Sequence, residues 1–352
     1  MKSISYLPIL DISDIKTFNR LLVYNKKRDF ESLTRNSLIK ELDSKIKHRV
    51  IYSMLIPQKE SLEIYNEILD GPSPQKIIDY LILLYKKILG EHKPEKINLI
   101  AILRSGLPLA LLLRYIIYKI HGIKVKVSAI SPNYIDQIDI DSFKNYIGNF
   151  NNNIESIFVD SWCSEGVTYN IVKNFWIKLF PDKKFYYTVL SNLSSFEKED
   201  LIYAVKKDFL IPWSICQTDN LGIGNYFLHP IDRKCCTFII PENKRKIKNS
   251  EIIYRKIIDQ RVKDKLDINE LYQEDRTSRY PTRKQINISI IKLGINECIK
   301  SIDKKDNIEL YINNASENPD NKILERYAKI NSIKYQNTSK ELSFVVRNFS
   351  QK

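Results

Sequence analysis

Cysteine and histidine are scarce in this chain, five and four among 352 residues. The cysteines, Cys163, Cys216, Cys235, Cys236 and Cys298, are odd in number and irregular in spacing, and no CxxC occurs. That argues against a disulfide framework or a cysteine-ligated zinc site, and a reducing cytoplasm is the simplest setting. His48, His92, His121 and His229 are dispersed, with no HxxxH or HExxH pattern, so no metalloprotease signature is present. Long apolar runs are missing as well. The longest, around Leu107–Ile120 and Ile77–Leu89, carry Arg114, Lys119, Asp79, Lys86 and Lys87. They are too short and too charged to cross a bilayer. The first residues contain an early lysine but no sustained apolar stretch and no small-residue cleavage site, so no signal peptide is expected. Internal repeats and low-complexity tracts are absent.

What is present is a globular composition. Hydrophobic residues make up 43% and charged residues 28%, enough to bury a substantial core, and the length suits two domains. The net charge of +14 would favour polyanions or phosphorylated ligands. The basic residues are spread along the chain, however, and fit the general abundance of Lys, Ile and Asn.

Apolar runs and helical periodicities alternate in the middle of the chain. Residues 1–75 read as a mostly helical segment, with helices at Leu38–Leu55 and Ser61–Leu69. A helix follows over Gln75–Leu89, after the break at Gly71–Pro74. Strands are expected at Ile97–Leu103, Lys124–Ser131, Ile154–Asp160, Phe185–Ser191 and Asp208–Trp213. Helices are expected at Leu107–Ile120, Thr168–Phe180 and Lys198–Lys207. This alternation over 76–240 implies an α/β core with a parallel twisted sheet. Residues 241–284 read as a charged helical arm and exposed linker. From 285 to 352 a small second α/β domain is expected, with strands at Ile286–Ile291, Asn307–Ile312 and Ser343–Val346 and helices at Ile295–Ile302 and Asp320–Ile330.

The stretch Ile154–Val172 carries the clearest chemistry. A buried strand ends on Asp160, a tight loop follows, and Gly166 and Thr168 open a helix. Backbone N–H groups at such a helix start form an anion site, and glycine permits close approach. Ser161, Ser164, Glu165, Gly166, Val167 and Thr168 are the candidate phosphate-loop residues. Asp160 is placed for ribose hydroxyls or a coordinated Mg²⁺. A second loop, Leu103-Arg104-Ser105-Gly106, follows the first core strand; it resembles the pyrophosphate-binding loop of type I phosphoribosyltransferases, which implies that Arg104 neutralises departing pyrophosphate. The same resemblance, through the segments that match that family's flexible loop and hood, implies Tyr134, Asp136, Trp213 and Asp219 as further substrate-contact candidates.

The first loop resembles the phosphoribosyl-diphosphate loop of type I phosphoribosyltransferases, with Ser161 where a second acid is usual. Taken together, Leu103–Leu113, Phe158–Val167 and Asp208–Pro212 resemble the phosphoribosyltransferase-like StiP family. Asp160, Trp162 and Gly166 match its Val-Asp-Gly-Trp-Thr-Gly-Lys-Gly segment, and Ser161, Cys163, Ser164 and Glu165 depart from it. Tyr52–Tyr65 resembles a further helical segment of that family. Leu310–Pro319 resembles the Ser-Ala-Glu-Asn-Pro region of the Pelota-like RNA-binding domain often fused to it.

The resemblance implies a bacterial protein of tellurite-resistance or stress-response neighbourhoods. It implies transfer of ribose 5-phosphate to or from an unknown nucleophile, with Mg²⁺ as cofactor and Asp160 and Arg104 as catalytic residues. RNA is an expected partner through the C-terminal domain, and a homo-oligomer is the expected state. A catalytically degenerate nucleotide- or RNA-binding protein is the alternative. Family members have also been labelled cysteine proteases. That reading ranks lowest here: Cys163 precedes a helix N-terminus, but the family pattern has Thr there and no histidine lies near it in sequence, although His229 could approach in space.

Overall fold

The computed structural model describes residues 16–17, 20–23, 50–52, 59–103, 105–132, 138, 140–149, 154–193, 198–215, 223–228, 235–239, 250–264, 289–303, 308–313, 318–340 and 342–348. In chain order the first elements are β1 (Lys16–Thr17), β2 (Arg20–Val23), β3 (Val50–Tyr52), α1 (Lys59–Asp70), α2 (Ser73–Glu91), β4 (Ile97–Ile102), α3 (Gly106–His121), β5 (Lys126–Ile130) and α4 (Ile140–Gly148). Next come β6 (Glu155–Cys163), α5 (Val167–Leu179), β7 (Tyr186–Asn192), β8 (Leu201–Val205), β9 (Ile223–Leu228), β10 (Cys235–Ile239) and α6 (Ser250–Lys263). The last are β11 (Ser289–Leu293), α7 (Ile295–Asp303), β12 (Ile308–Asn313), α8 (Pro319–Ile330), β13 (Tyr335–Thr338) and β14 (Phe344–Asn348).

The main sheet has the order β1-β5-β4-β6-β7-β8, and every neighbouring pair in it is parallel. The central strands β4, β6 and β7 are buried on both faces, which is why they read as largely apolar runs. All six residues of β4 are buried. Alternate side chains still part to opposite layers. Leu99, Ala101, Ile157, Val159 and Leu190 join the cluster built with α1, α2 and α3. Ile100, Ile102, Phe158, Tyr187 and Val189 join the layer under α4 and α5, around the buried Trp176. Two smaller sheets accompany it, β2-β10-β9-β3 and β11-β14-β12-β13.

Four expectations need correction. Residues 50–52, placed within a Leu38–Leu55 helix, form β3; the rest of that span lies outside the described residues. The Lys198–Lys207 segment is no helix: Leu201–Val205 is the edge strand β8, paired with β7. Its five-residue run of apolar residues is too short for periodicity to separate strand from helix, and sheet pairing decides. Asp208–Trp213 is not a strand but an extended stretch ending in a 3₁₀ turn at Pro212–Ser214. Its backbone is spent elsewhere. Leu210 N–H donates to Asp320 Oδ2 at 3.0 Å, Ile211 N–H to Asn296 Oδ1 at 2.9 Å, and Phe209 C=O accepts from Asn296 Nδ2 at 2.8 Å. Finally, the helix found inside 241–284, α6, is not a free arm. Arg261 forks onto Asp79 of α2, Nε to Oδ1 at 2.8 Å and the second guanidinium nitrogen to Oδ2 at 2.9 Å. Tyr254 and Ile258 of α6 are buried in the main cluster.

The C-terminal α/β unit packs directly on the sheet layer. Ile295, Cys298, Ile299, Ile302, Leu324 and Tyr327 belong to the same hydrophobic cluster as α1–α3. Asp208 accepts the N–H of Ile295, the first residue of α7, with both oxygens at 3.1 Å, a carboxylate at a helix N-terminus.

Candidate functional site

In the order β5-β4-β6, the chain leaves β4 toward β5 on one side and returns to β6 on the other. The crevice above the carboxyl ends of β4 and β6 is therefore the switch point of the sheet, where open α/β folds place ligands. Two loops border it. Ser105 and Gly106 follow β4, and β6 runs on through Ser161 and Trp162 to Cys163 before the 164–166 turn. The strand is thus three residues longer than the expected end at Asp160, and Cys163 is its last residue rather than a loop residue.

Gly106 lets α3 start against β6. A Cβ there would lie 2.0 Å from the Val159 carbonyl oxygen and 3.1 Å from Asp160 Cα, so only glycine fits. On the other side Gly166, at φ 72°, turns the chain into α5. This left-handed conformation is cheap only for glycine.

The floor of the crevice is a closed hydrogen-bond network. Asp160 Oδ1 accepts from Ser105 Oγ at 2.7 Å and from the Ser161 N–H at 2.7 Å, and Oδ2 accepts from Tyr187 Oη at 3.0 Å. Ser161 Oγ donates to the Ser105 carbonyl at 2.5 Å and accepts from Trp213 Nε1 at 2.8 Å. Burial raises the Asp160 pKa above the ordinary carboxylate value, against the opposing Lys300 charge and the three donated bonds. Burial, with the neighbouring charges of Asp160 and Cys163, pushes the Tyr187 phenol well above its usual range.

The fold brings together Asp160, Ser161, Ser105, Gly106 and Trp213. Ser164, Glu165 and Gly166 form the adjoining turn, and Val167 and Thr168 begin α5. Arg104, Tyr134, Asp136 and Asp219 lie outside the described residues, as do His48, His229 and Cys216. Three contributors were missed from the sequence: Tyr187, Glu297 and Lys300. Tyr187 sits in an apolar strand where a phenol reads as core. Glu297 and Lys300 come from α7, some 130 residues downstream of β6, and nothing in their spacing links them to it. Among the described residues no group of His, Cys, Asp and Glu could hold a metal ion.

Cys163 and Cys298 are not joined in disulfides, and their settings differ. Cys298 is fully buried in α7, and burial together with the Asp208 and Glu297 charges pushes its pKa well up. Cys163 stands at the crevice, four residues before the first residue of α5 and 6% exposed. The two described histidines are remote from it. His92 Nδ1 lies 2.5 Å from Glu155 Oε2, at the start of β6. Eight residues of strand at roughly 3.3 Å each separate Glu155 from Cys163, about 26 Å. His121, the last residue of α3, pairs through Nε2 with Tyr85 Oη at 2.8 Å.

A family model described as tellurite-like stress resistance cysteine protease StiP matches residues 23–223, more than half of the chain. The chain belongs to the StiP family. The StiP match runs from the last residue of β2 to the first of β9, so it contains β4–β8 and the two loops that border the crevice, and it ends before the C-terminal unit. No curated protein matches the chain significantly. Among the described residues no helix is long and apolar enough to span a membrane.

Membership in StiP, described as a cysteine protease family, overturns the expectation of phosphoribosyl transfer. The geometry supplies a physical reason. Asp160, expected to present its carboxylate to ribose hydroxyls, is buried with both oxygens already bonded by protein donors.

Proposed function

We propose that this StiP-family chain is a cysteine peptidase whose nucleophile is Cys163. The observation that carries the reading is the position of this thiol: it ends β6 at the switch point of the sheet and stands just before the N-terminus of α5. Partial positive charge at a helix N-terminus favours a thiolate. Cys298, by contrast, is sealed beside carboxylates that oppose its ionisation.

A thiol needs a proton acceptor. The candidate for that role is the Tyr187–Asp160 pair, joined by a 3.0 Å hydrogen bond, whose phenol feels the charge of Cys163. Asp160 has a raised pKa, which brings a carboxylate nearer to the working range of a general base. The thiol proton passes to the Tyr187 oxygen while the Tyr187 proton passes to Asp160, so the net charge of the cluster is unchanged. The sulfur then bonds to the peptide carbonyl carbon, the C–N bond breaks, and the departing amine takes the proton back. Water hydrolyses the resulting thioester and restores the thiol.

The supporting experiment compares hydrolysis of an unstructured protein substrate by wild type, Cys163→Ala and Tyr187→Phe. Cys163→Ala is expected to abolish turnover, and Tyr187→Phe to lower it by about 10²-fold or more. Undiminished hydrolysis by Cys163→Ala would refute the assignment. Loss in His48→Ala or His229→Ala with none in Tyr187→Phe would replace the proposed proton acceptor.

A further inference from the structure

The C-terminal unit lies outside the family match, yet it reaches the crevice. Trp162, next to Cys163, donates its indole N–H to Glu297 Oε1 of α7 at 3.1 Å. Glu297 is also bonded by Lys292 Nζ from β11 at 2.9 Å and by Lys300 Nζ of α7 at 3.3 Å. The Lys300 ammonium sits 4.0 Å from the centroid of the Trp162 ring, a cation–π contact. Two ammonium groups thus converge on one buried carboxylate. Burial opposes the ionised form of Glu297, but the two lysine charges and the bonds from Lys292 and Trp162 prevail and hold its pKa well below normal. Glu297 is ionised, and the trio keeps one unit of surplus positive charge. Lys300 retains 28% side-chain exposure.

We propose that the C-terminal unit completes the crevice, with Lys300 as the side chain that binds a carboxylate of the peptide substrate. The inference rests on Cys163 as the reacting group. Three features support it. The charge is uncompensated within its own cluster. The ammonium is fixed in place by an aromatic face and an acid rather than swinging on a free stem. Its charge is also felt at Asp160, so it acts on the crevice floor as well as on Trp162. A substrate lying across the 164–166 turn would meet the thiol on the α5 side and the ammonium on the α7 side. The clusters divide these residues in the same way: Cys163 packs with the α4–α5 layer and Trp162 with the layer that includes α7.

The charge can be read without peptide turnover. The folded full-length chain is alkylated at low ionic strength with iodoacetate or with iodoacetamide, and the modified Cys163 peptide is quantified by mass spectrometry. A fixed positive charge near the thiol raises the rate of the anionic reagent relative to the neutral one, by about three- to tenfold, and salt suppresses the difference. The expected result is an iodoacetate preference at Cys163 well above that of the denaturant-unfolded chain, lost in Lys300→Met and retained in Lys300→Arg. Short peptides then compete for the site. Protection by a free C-terminal acid but not its amide identifies a chain end as the carboxylate, and protection by an internal Glu but not Gln identifies a side chain. The same reagent preference in folded Lys300→Met as in wild type overturns the proposal. So does a Cys163 that neither reagent modifies. An inactive peptidase that still shows the Lys300-dependent preference would refute the proposed function and leave this charge assignment standing.

Discussion

Asp208 ties the stability of the junction between sheet and C-terminal unit to pH. Burial raises its pKa from 3.8 to about 7, against the bond from the Ile295 N–H, with the Asp320 charge raising it further and Lys76 lowering it. The sign follows from proton counts. Between the unfolded and folded pKa values the native state holds a proton that the unfolded state has released, so stability falls as pH rises. The contribution is complete below 3.8, declines through the interval and is gone above about 7. Three pKa units at 1.36 kcal/mol each give about 4 kcal/mol as the largest possible change. Asp208→Asn keeps an oxygen to accept from Ile295 and cannot titrate. Urea unfolding of both proteins from pH 4.5 to 8.5 tests this. The difference in unfolding free energy, wild type minus Asp208→Asn, is expected to fall by up to ~1.4 kcal/mol per pH unit and to flatten above about pH 7.5. Other titrating groups cancel in the difference. Parallel stability curves would show that Asp208 ionises normally and that the junction is open to water.

Other substitutions probe the site's scaffold. Gly106→Ala drives a methyl into the backbone of β6 at Val159 and should cost about 3 kcal/mol or more, seen as a large drop in Tm or loss of soluble protein. Trp213→Phe leaves Ser161 Oγ without its indole donor and should cost about 1–2 kcal/mol in denaturant unfolding. Arg261→Ala frees Asp79 from its forked partner. A loss of about 1–3 kcal/mol is expected, with faster amide exchange in α6.

Much of the parallel sheet was legible because buried strands and covering helices write themselves as apolar runs and helical periods. β4, β5, β7, α2, α3 and α5 lie within a few residues of where their patterns place them. What failed depended on partners far along the chain. The Leu201–Val205 run became a strand because β7 offers it an edge, and Asp208–Ile211 lost its strand because side chains of α7 and α8 claim its backbone. At the site, the Asp160 loop and the Ser105–Gly106 loop were visible as strand ends followed by small residues. Tyr187 and the Glu297–Lys300 pair were not, since their roles come from tertiary approach and not from local pattern. Stress-resistance family membership was readable from Asp160, Trp162 and Gly166. The chemistry was assigned wrongly because an acid at a strand end reads as a sugar-hydroxyl ligand until its bonds inside the protein are seen.

Covalent catalysis by Cys163 requires a transient acyl-enzyme. Acid-quenching a reaction with a peptide ester substrate and mapping the digest by mass spectrometry tests it most directly. The expected result is an acyl group on Cys163, released by hydroxylamine and absent from Tyr187→Phe at short times. An unmodified Cys163 during ongoing turnover, or an acyl group on another cysteine, would contradict it.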